Sequence, residues 1–318
     1  MSDYIDEKTY AAYLKDKTQL LKSASGGMFT ALSDVYLEEG NAIVCCVYNP
    51  DADEPELKLI CTTEERNSAR GSKYIQSNPK NVYTESVQFL KEYSDKKILF
   101  FGTGCQAAAY LNYMRLKKME NRIMTVDIIC HGVPSPKLWR EYVYMLKNQM
   151  GEGQITYLSF RDKRTGWNSS SSIAKLGEVE VNVQDYKKYL YGPMTLRPSC
   201  YVCPFAKLSR ETDLTIGDFW GIDKNYPEMM NNDGVSIAIV HTNSGTELFE
   251  QAKRNMVWEE TDVSKSLQDN LIRPTACSPQ RERFMKYYKR NGFEKTFKLY
   301  ADNSFWGKLK RKLIKLVR

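Results

Sequence analysis

Three short apolar runs, each followed by a turn and a helical pattern, constrain the fold of this 318-residue chain most strongly. The runs occupy residues 41–48 (NAIVCCVY), 97–101 (KILFF) and 123–130 (IMTVDIIC). Continuous apolar runs of this length are typical of strands buried on both faces, as in a parallel sheet covered by helices. We therefore predict an α/β fold, with a mostly parallel sheet flanked by helices.

The sequence pattern changes after the glycine-containing stretch at 151–153. Residues 154–161 and 170–183 have the partial apolar/polar alternation of shorter strands, and from residue 278 the pattern is helical. We expect a mixed α+β second part and a C-terminal helical tail. The expected division is an α/β domain at 1–150, an α+β part at 151–277 and a basic tail at 278–318.

The chain has 46 basic and 39 acidic residues, and the basic excess is confined to its C-terminal end. From Arg281 onward there are 13 basic and 3 acidic residues, so the first 280 residues carry a net charge of −3. Nucleic-acid binding requires a positively charged surface, so we expect no nucleic-acid partner. An acidic N-terminus and the lack of any run of about 18 apolar residues predict a cytoplasmic protein.

Residues 304–318 (SFWGKLKRKLIKLVR) combine basic and apolar side chains in a helical pattern. Leucines at 309, 313 and 316 fall near one face, and lysines and arginines cover the rest. A basic amphipathic helix of this kind can lie on an anionic membrane or dock on a protein surface. Peripheral contact at the inner face of the membrane is one expectation, and docking within the protein is the other.

Eight cysteines in a chain without a secretory signal favour metal binding or redox chemistry over a disulfide framework. Cys105 and Cys130 follow the second and third apolar runs, and the carboxyl ends of neighbouring parallel strands border the crevice where ligands bind. Cys200 and Cys203 form a CxxC motif followed by Pro204, and a Cys-Pro step recurs at iron–sulfur ligands. Four thiolates can hold either a 4Fe-4S cluster or a structural zinc ion.

Another interpretation of these cysteines stays open. Cys105 and Cys130 can be small buried hydrophobic residues, which would leave Cys200 and Cys203 as the redox pair of a dithiol oxidoreductase. A thioredoxin-like pair opens a helix after an N-terminal strand, and this pair does not. The remaining cysteines, at 45, 46, 61 and 277, show no partner pattern and are expected to be structural.

Three turn-forming stretches are candidates for binding a charged cofactor. Residues 25–27 (SGG) precede a helical pattern, where backbone N–H groups can face a phosphate or simply cap the helix. Residues 70–77 (RGSKYIQS) can form a cofactor-binding loop or a solvated one. Residues 102–104 (GTG) form a tight strand-to-helix turn that is neither a dinucleotide fingerprint nor a P-loop.

Only two histidines are present, His131 and His241, so a histidine-rich metal site is excluded. His131 follows Cys130 directly and is a candidate proton donor, although a structural role at the strand end is equally compatible with its position. Residues 217–221 (GDFWG) close a later strand, and their two glycines suggest close packing against a cofactor or the cysteine loop.

Together these motifs resemble the beta-subunit family of coenzyme F420 hydrogenase/dehydrogenase. The resemblance extends from about residue 23 to residue 221. In order, the motifs that carry it are Ser25-Gly26-Gly27, Ser72-Lys73-Tyr74, Gly102-Thr103-Gly104-Cys105-Gln106, Cys130-His131-Gly132, Cys200-Tyr201-Val202-Cys203-Pro204 and Gly217-Asp218-Phe219-Trp220-Gly221.

The resemblance implies an iron–sulfur flavoprotein oxidoreductase that passes electrons between a 4Fe-4S cluster and FAD. It implies that the cluster ligands are Cys105, Cys130, Cys200 and Cys203. The implied FAD contacts are Ser25, Gly26, Gly27, Ser72, Lys73, Tyr74, Gln76, Gly102, Thr103, Gly104, Gln106 and Gly132. The catalytic candidates are Lys73, which would balance negative charge on reduced flavin or phosphate, and His131, which would act as the proton donor.

The chain departs from larger relatives because it lacks their ferredoxin-type runs of closely spaced cysteines. Electrons are therefore expected to come from a separate ferredoxin or flavodoxin and to reach a small-molecule substrate. Similar short proteins are often associated with surface-polysaccharide synthesis, which is an analogy at the level of the fold. The alternative function is a non-catalytic accessory protein of glycan synthesis, with a structural zinc ion held by the four cysteines.

Overall fold

The computed structural model describes residues 4–151, 153–168, 171–302, 304, 306–307 and 310–311. Within them, eight strands form one mixed sheet and three form a small antiparallel sheet. The strands are β1 (Tyr4–Leu14), β2 (Ala42–Asn49), β3 (Glu54–Ile60), β4 (Ile98–Thr103), β5 (Ile123–Ile128), β6 (Ile155–Ser159), β7 (Ile173–Leu176), β8 (Val179–Asn182), β9 (Leu214–Asp218), β10 (Ser236–Thr242) and β11 (Met256–Thr261).

The large sheet has the strand order β11-β1-β10-β9-β5-β4-β2-β3. Its centre is parallel: β2 pairs with β4, β4 with β5, and β5 with β9. The flanking pairs, β3 with β2 on one side and β10, β1 and β11 on the other, are antiparallel. The predicted α/β class with a mostly parallel central sheet is confirmed, and the three apolar runs form three of its four parallel strands.

Helices cover both faces of this sheet. In chain order they are α1 (Lys17–Leu21), α2 (Met28–Glu38), α3 (Thr63–Ser68), α4 (Val82–Glu92), α5 (Gly104–Leu116), α6 (Pro136–Met150), α7 (Ile222–Asn225), α8 (Asn243–Ala252), α9 (Val263–Ser266), α10 (Asp269–Ile272), α11 (Arg281–Asn291) and α12 (Phe293–Ala301). Side chains of β2 alternate between the two cores: Cys45 packs with α2 and α8, and Cys46 packs with α4 and α5. The two cysteines therefore point to opposite faces, as strand geometry requires.

The small sheet, in the order β6-β7-β8, shares a third core with α6, α11 and α12. Aromatic side chains dominate this core, and Trp139, Tyr142 and Tyr186 pack edge-on or tilted against one another. The division expected near residue 151 stays a prediction. The small sheet begins there, but the large sheet takes strands from both sides of that residue.

Two strands at one side of the large sheet, β1 and β11, are not indicated by the apolar pattern of the sequence. Strand β1 contains four charged or hydroxyl side chains in a row, Asp6 to Thr9, and it is placed by pairing with β10 and β11. The expected helical tail is present as α11 and α12. Most of 304–318, on which the membrane interpretation rests, lies outside the described residues, and none of the described helices is long and apolar enough to cross a bilayer.

Candidate metal and cofactor site

Cys105 and Cys130 lie at the same edge of the large sheet. Strands β4 and β5 are parallel, with Thr103 paired to Ile128 at their carboxyl ends. Cys105 is in the first turn of α5, directly after β4, and Cys130 lies two residues beyond the end of β5. The parallel pairing thus gives both cysteines the placement that the sequence predicts.

The loop that carries the CxxC motif packs against the turn that follows Cys130. A Cβ atom placed on Gly132 would lie 3.0 Å from the Cβ of Cys200, and Gly132 has a φ of +118°. The backbone N–H of Arg197 donates to the carbonyl of Val133 at 2.9 Å, and Pro134 and Leu196 form an isolated antiparallel bridge. Only a glycine at 132 lets the two loops approach this closely.

Residues that follow Cys203 pack in turn against the start of α5. A Cβ atom placed on Gly104 would lie 2.9 Å from the Cβ of Phe205, which is two residues beyond Cys203. The hydroxyl of Thr103 lies 3.2 Å from the sulfur of Cys105. The four cysteines therefore come from three loops that contact one another at one edge of the sheet.

Burial and mutual repulsion make the thiols of this group harder to ionise. Burial raises the pKa of the Cys130 thiol to about 12, the Gly132 N–H at 3.3 Å from its sulfur opposes this rise, and charge on Cys105, Cys200 and Cys203 adds to it. Burial is also the main reason that the pKa of Cys203 is raised, with smaller contributions from Cys105 and Cys200. A thiolate in this group is therefore costly unless positive charge compensates it.

The donor set consists of sulfur atoms, which suits iron or zinc. Among the residues the structure describes, no three His, Cys, Asp or Glu side chains converge closely enough to hold a single metal ion. A tetrahedral zinc site with Zn–S bonds of about 2.3 Å needs sulfurs only about 3.8 Å apart. A four-iron centre, in which each thiolate binds a different iron atom, accepts a wider spacing of the same four sulfurs.

A buried ion pair holds the cysteine loop against the sheet. Asp127 in β5 is fully buried and accepts hydrogen bonds from the guanidinium of Arg210 and from the hydroxyls of Thr212 and Thr215. Arg210 also donates to the carbonyl of Lys207 at 3.0 Å, within the loop that follows Cys203. Sequence reasoning missed this pair, although Asp127 is the only charged residue in the third apolar run.

The predicted Ser25–Gly27 turn lies against β1 and β10. The Ser25 hydroxyl donates to the carbonyl of Val235 at 2.9 Å, and the ammonium of Lys163 donates to the carbonyl of Ser25 at 2.6 Å. Gly27 precedes α2 with a φ of +88°, and Gly26 is in close backbone contact with both strands. The turn packs closely against β1 and β10, so it could contact an anion only through its backbone N–H groups.

Gly26→Ala is expected to destabilise the fold substantially. The new Cβ would lie 2.3 Å from the carbonyl oxygen of Ala12 and 2.5 Å from the backbone nitrogen of Ser236, so two strands would have to move apart. The expected cost is about 1–3 kcal/mol or more in the free energy of unfolding. Gly192→Ala is the matched control, because nothing lies within 4 Å of a Cβ there. Equal urea midpoints for the two variants would contradict this account of Gly26.

The stretch at 70–77 reaches the cysteine region through stacked aromatic rings. The ring of Tyr74 stacks on that of Tyr191, with centroids 4.3 Å apart and planes 8° apart, and Tyr191 contacts the His131 ring at 4.4 Å. His131 directly follows Cys130 in the chain, and the ring of Tyr191 contacts both the His131 ring and the Tyr74 ring. The imidazole Nδ1 of His131 is buried without a hydrogen-bond partner among the described residues.

The ammonium of Lys73 is engaged by its own loop. It donates to the carbonyls of Ala69, Arg70 and Gly71 at 2.5, 3.0 and 3.3 Å, and burial lowers its pKa. Three acceptors use all three protons of an ammonium group. A catalytic role for Lys73 therefore stays a prediction that requires this loop to open, whereas its role in shaping the loop is direct.

The turn at the end of β4 connects with the 70–77 stretch. The backbone N–H and the hydroxyl of Thr103 both donate to the side-chain oxygen of Gln106, each at 3.1 Å, and the amide nitrogen of Gln106 donates to the hydroxyl of Ser77 at 2.7 Å. A Cβ on Gly102 would lie 2.7 Å from the ring of Phe100. Ser72 and Gln76, on either side of Tyr74, are partly buried in the same stretch. The hydrogen bond between Gln106 and Ser77 thus joins the 72–77 stretch to the 102–106 turn.

A cleft of about 450 Å³ lies at the opposite edge of the sheet. Residues of α2, α5 and α8 line it together with the first residues of β5, including Tyr36, Arg115 and Glu247. None of the residues predicted from the sequence to bind metal or cofactor lines this cleft. The predicted site therefore lies at the carboxyl ends of the parallel strands and away from this cleft.

Comparisons with protein-family models match two consecutive segments of the chain. Residues 9–82 match the model for the N-terminal part of the coenzyme F420 hydrogenase/dehydrogenase beta subunit. Residues 95–266 match the model for the C terminus of the same coenzyme F420 hydrogenase/dehydrogenase beta subunit. No curated protein matches the chain at a significant level.

A similar solved structure is a chain of the xenon-derivatized F420-reducing NiFe hydrogenase complex from Methanosarcina barkeri. The similarity has a TM-score of 0.56 at 20% sequence identity, and it covers 93% of this chain and 90% of the other. At this level of identity, the similarity establishes a shared fold over nearly the whole chain.

Proposed function

The chain belongs to the coenzyme F420 hydrogenase/dehydrogenase beta-subunit family, and from this premise we propose that it is an iron–sulfur flavoprotein oxidoreductase. Its 4Fe-4S cluster would be held by Cys105, Cys130, Cys200 and Cys203, and its flavin would be FAD. One observation carries the proposal: three loops bring these four cysteines to the carboxyl edge of one parallel sheet.

The properties of Cys130 support a metal centre at this edge. Burial and the neighbouring thiols raise its pKa. An ionised Cys130 therefore needs compensating positive charge. Iron supplies that charge, and metal binding displaces the thiol protons. Four thiolates are the donor set of a 4Fe-4S cluster, and the same donor set also suits the zinc ion of the competing proposal.

The flavin would lie along residues 72–77 and 102–106. The cluster exchanges single electrons and FAD exchanges hydride or electron pairs when both are bound. On the protein side, Gly102 and Gly104 let the Phe100 ring and the Phe205 side chain pack closely at the strand end. The rings of Tyr74 and Tyr191 stack on each other at the 72–77 stretch. The remaining FAD contacts are proposed at Ser25, Gly26, Gly27, Ser72, Lys73, Thr103, Gln76, Gln106 and Gly132.

His131 is proposed as the group that handles a proton near the flavin. Its ring lies between the Cys130 turn and Tyr191, and the hydroxyl of Thr275 donates to its carbonyl at 2.7 Å, which fixes the backbone. With Nδ1 unpartnered among the described residues, the imidazole has a free position for a hydrogen bond to a bound group. Burial lowers the pKa of His131, which favours the neutral ring.

Electrons would come from a separate ferredoxin- or flavodoxin-type protein, and the substrate would be a small molecule bound over the flavin. A protein partner also accords with the similar chain, which is part of a hydrogenase complex. We propose a cytoplasmic location, with membrane contact through 304–318 and a link to surface-polysaccharide synthesis as further proposals. The competing candidate remains a zinc-containing accessory protein.

Anaerobic purification followed by metal, sulfide and flavin analysis tests the proposal. We expect about four iron atoms and four sulfides per chain, and one flavin released as FAD on denaturation. The preparation should be brown, with a yellow fluorescent supernatant after acid treatment. A colourless chain with one zinc and no iron would exclude the redox function and favour the accessory protein.

A further inference from the structure

Exposed apolar side chains surround the cysteine loops. Val202, between Cys200 and Cys203, is 76% exposed, Ile272 in α10 is 59% exposed and Ile128 at the end of β5 is 41% exposed. Cys105 is itself exposed. We call the surface formed by Ile128, Val202, Ile272 and their neighbours at 197–207 and 267–275 the cysteine-edge surface.

Hydrogen bonds show that these segments adjoin one another. The guanidinium of Arg210 donates to the carbonyls of Ile128 and Asn270 at 3.5 and 3.3 Å, which ties the end of β5 to α10. The hydroxyl of Thr275 donates to the carbonyl of His131, in the turn that packs on Cys200. The segment at 267–275 therefore runs along the same edge as the cysteine loops.

Positive charge dominates this surface. Position 128 and the segments 197–207 and 267–275, which define it, contain three basic residues and one acidic residue. The basic residues are Arg197, Lys207 and Arg273, and all three are exposed. The single acidic residue, Asp269, pairs with Arg273 at 3.3 Å, and both side chains are highly exposed, so this pair leaves a net excess of positive charge.

This charge contrasts with the rest of the body, since residues 1–280 together carry a net charge of −3. An apolar centre with a basic rim is the composition of a protein-docking surface for an acidic partner. Transient electron-transfer complexes have small interfaces, in which charge complementarity speeds association and sets orientation. Val202 lies between two of the proposed cluster ligands, so the centre of this surface is beside the proposed redox site.

We infer that the cysteine-edge surface is the docking site of a small acidic electron-carrier protein, with Val202 at its apolar centre and Arg197, Lys207 and Arg273 on its rim. This inference rests on the proposed function, because it gives that function its entry point for electrons. It adds the face of the molecule on which the electron carrier docks and the sign of the charge on that carrier.

The test uses the full chain, purified without oxygen, and an acidic ferredoxin as the probe. Dissociation constants are measured by calorimetry at low and at high salt for the parent, the triple variant Arg197→Glu/Lys207→Glu/Arg273→Glu and the single variant Val202→Ser. The matched control is Lys91→Glu/Lys117→Glu/Lys118→Glu, which makes the same charge change at exposed positions of α4 and after α5. Iron and flavin contents are measured for every preparation.

We expect the triple variant to weaken ferredoxin binding by about 10-fold or more at low salt, with a smaller difference at high salt where charges are screened. Val202→Ser should weaken binding at both salt concentrations, and the control should bind as the parent does. A parent chain that does not bind the ferredoxin, or equal losses in the triple variant and its control, would overturn the inference.

Two further outcomes separate the alternatives. Anionic vesicles that bind the parent but not the triple variant, together with no ferredoxin binding, would show that this surface contacts lipid and would overturn the inference. A preparation without iron or flavin would refute the proposed function. Ferredoxin binding that the triple variant loses in such a preparation would still support the docking surface.

Discussion

Serine in place of any one of Cys105, Cys130, Cys200 or Cys203 is expected to remove most of the iron from the anaerobically purified chain. Each substitution replaces the sulfur of a proposed ligand by a hydroxyl oxygen of nearly the same shape, so the change in chemistry far exceeds the change in packing. Removing a residue that hydrogen-bonds to a metal ligand typically lowers metal affinity by about 10- to 100-fold. Removing a ligand itself should lower it more. Iron and sulfide analysis, with the visible absorption of the cluster, measures the effect.

Cys61→Ser and Cys277→Ser are the controls for this series. Both residues are exposed, and Cys277 is the stricter control, because it is close enough to the cysteine loop to influence the pKa of Tyr201. Both control variants should keep the iron content of the parent. Full iron in all four ligand variants would refute the assignment, and iron loss in Cys277→Ser would require a different ligand set.

The second large effect is expected from breaking the buried ion pair under the cysteine loop. Arg210→Met leaves Asp127, which is fully buried, without its cationic partner. Removing one member of a buried pair typically costs about 3–5 kcal/mol in the free energy of unfolding. Urea unfolding followed by far-ultraviolet circular dichroism measures this loss, and the variant should also bind iron more weakly because the loop after Cys203 loses its anchor.

Arg254→Met is the matched control for this variant. Arg254 also pairs with a carboxylate far along the chain, that of Glu38, but both side chains are exposed. Exposed pairs contribute about 0–1 kcal/mol, so this control should change the urea midpoint little. Losses of equal size in the two variants would contradict the role assigned to the Arg210–Asp127 pair.

The cost of Arg210→Met should depend on pH. Burial raises the pKa of Asp127, and the charge of Arg210 opposes that rise. Without Arg210, the folded pKa moves further above the value of about 3.9 that an unfolded aspartate has. The folded variant then binds more protons than the unfolded chain between these two pKa values, so its stability falls as pH rises through that window. The difference from the parent should therefore be larger at pH 7 than at pH 4.

Local sequence patterns were sufficient for the α/β class and for the place of Cys105 and Cys130. The apolar runs that became β2, β4 and β5 are strands for a local reason: buried strands between helices need side chains that are apolar on both faces. Since the carboxyl ends of parallel strands meet at one edge, the position of each cysteine just after a strand determined its placement. The CxxC spacing and the family motifs identified Cys200 and Cys203 as the other two candidate ligands.

Tertiary structure alone decided which loops touch and which side chains are already engaged. Strands β1 and β11 form by pairing with partners far along the chain, and this pairing leaves no local apolar pattern. The close packing of Gly26, the three carbonyls around Lys73 and the burial of Asp127 with Arg210 likewise depend on distant segments. Residue spacing and periodicity describe neighbours within one element, whereas these contacts depend on how separate elements pack, and that is set by the three-dimensional fold.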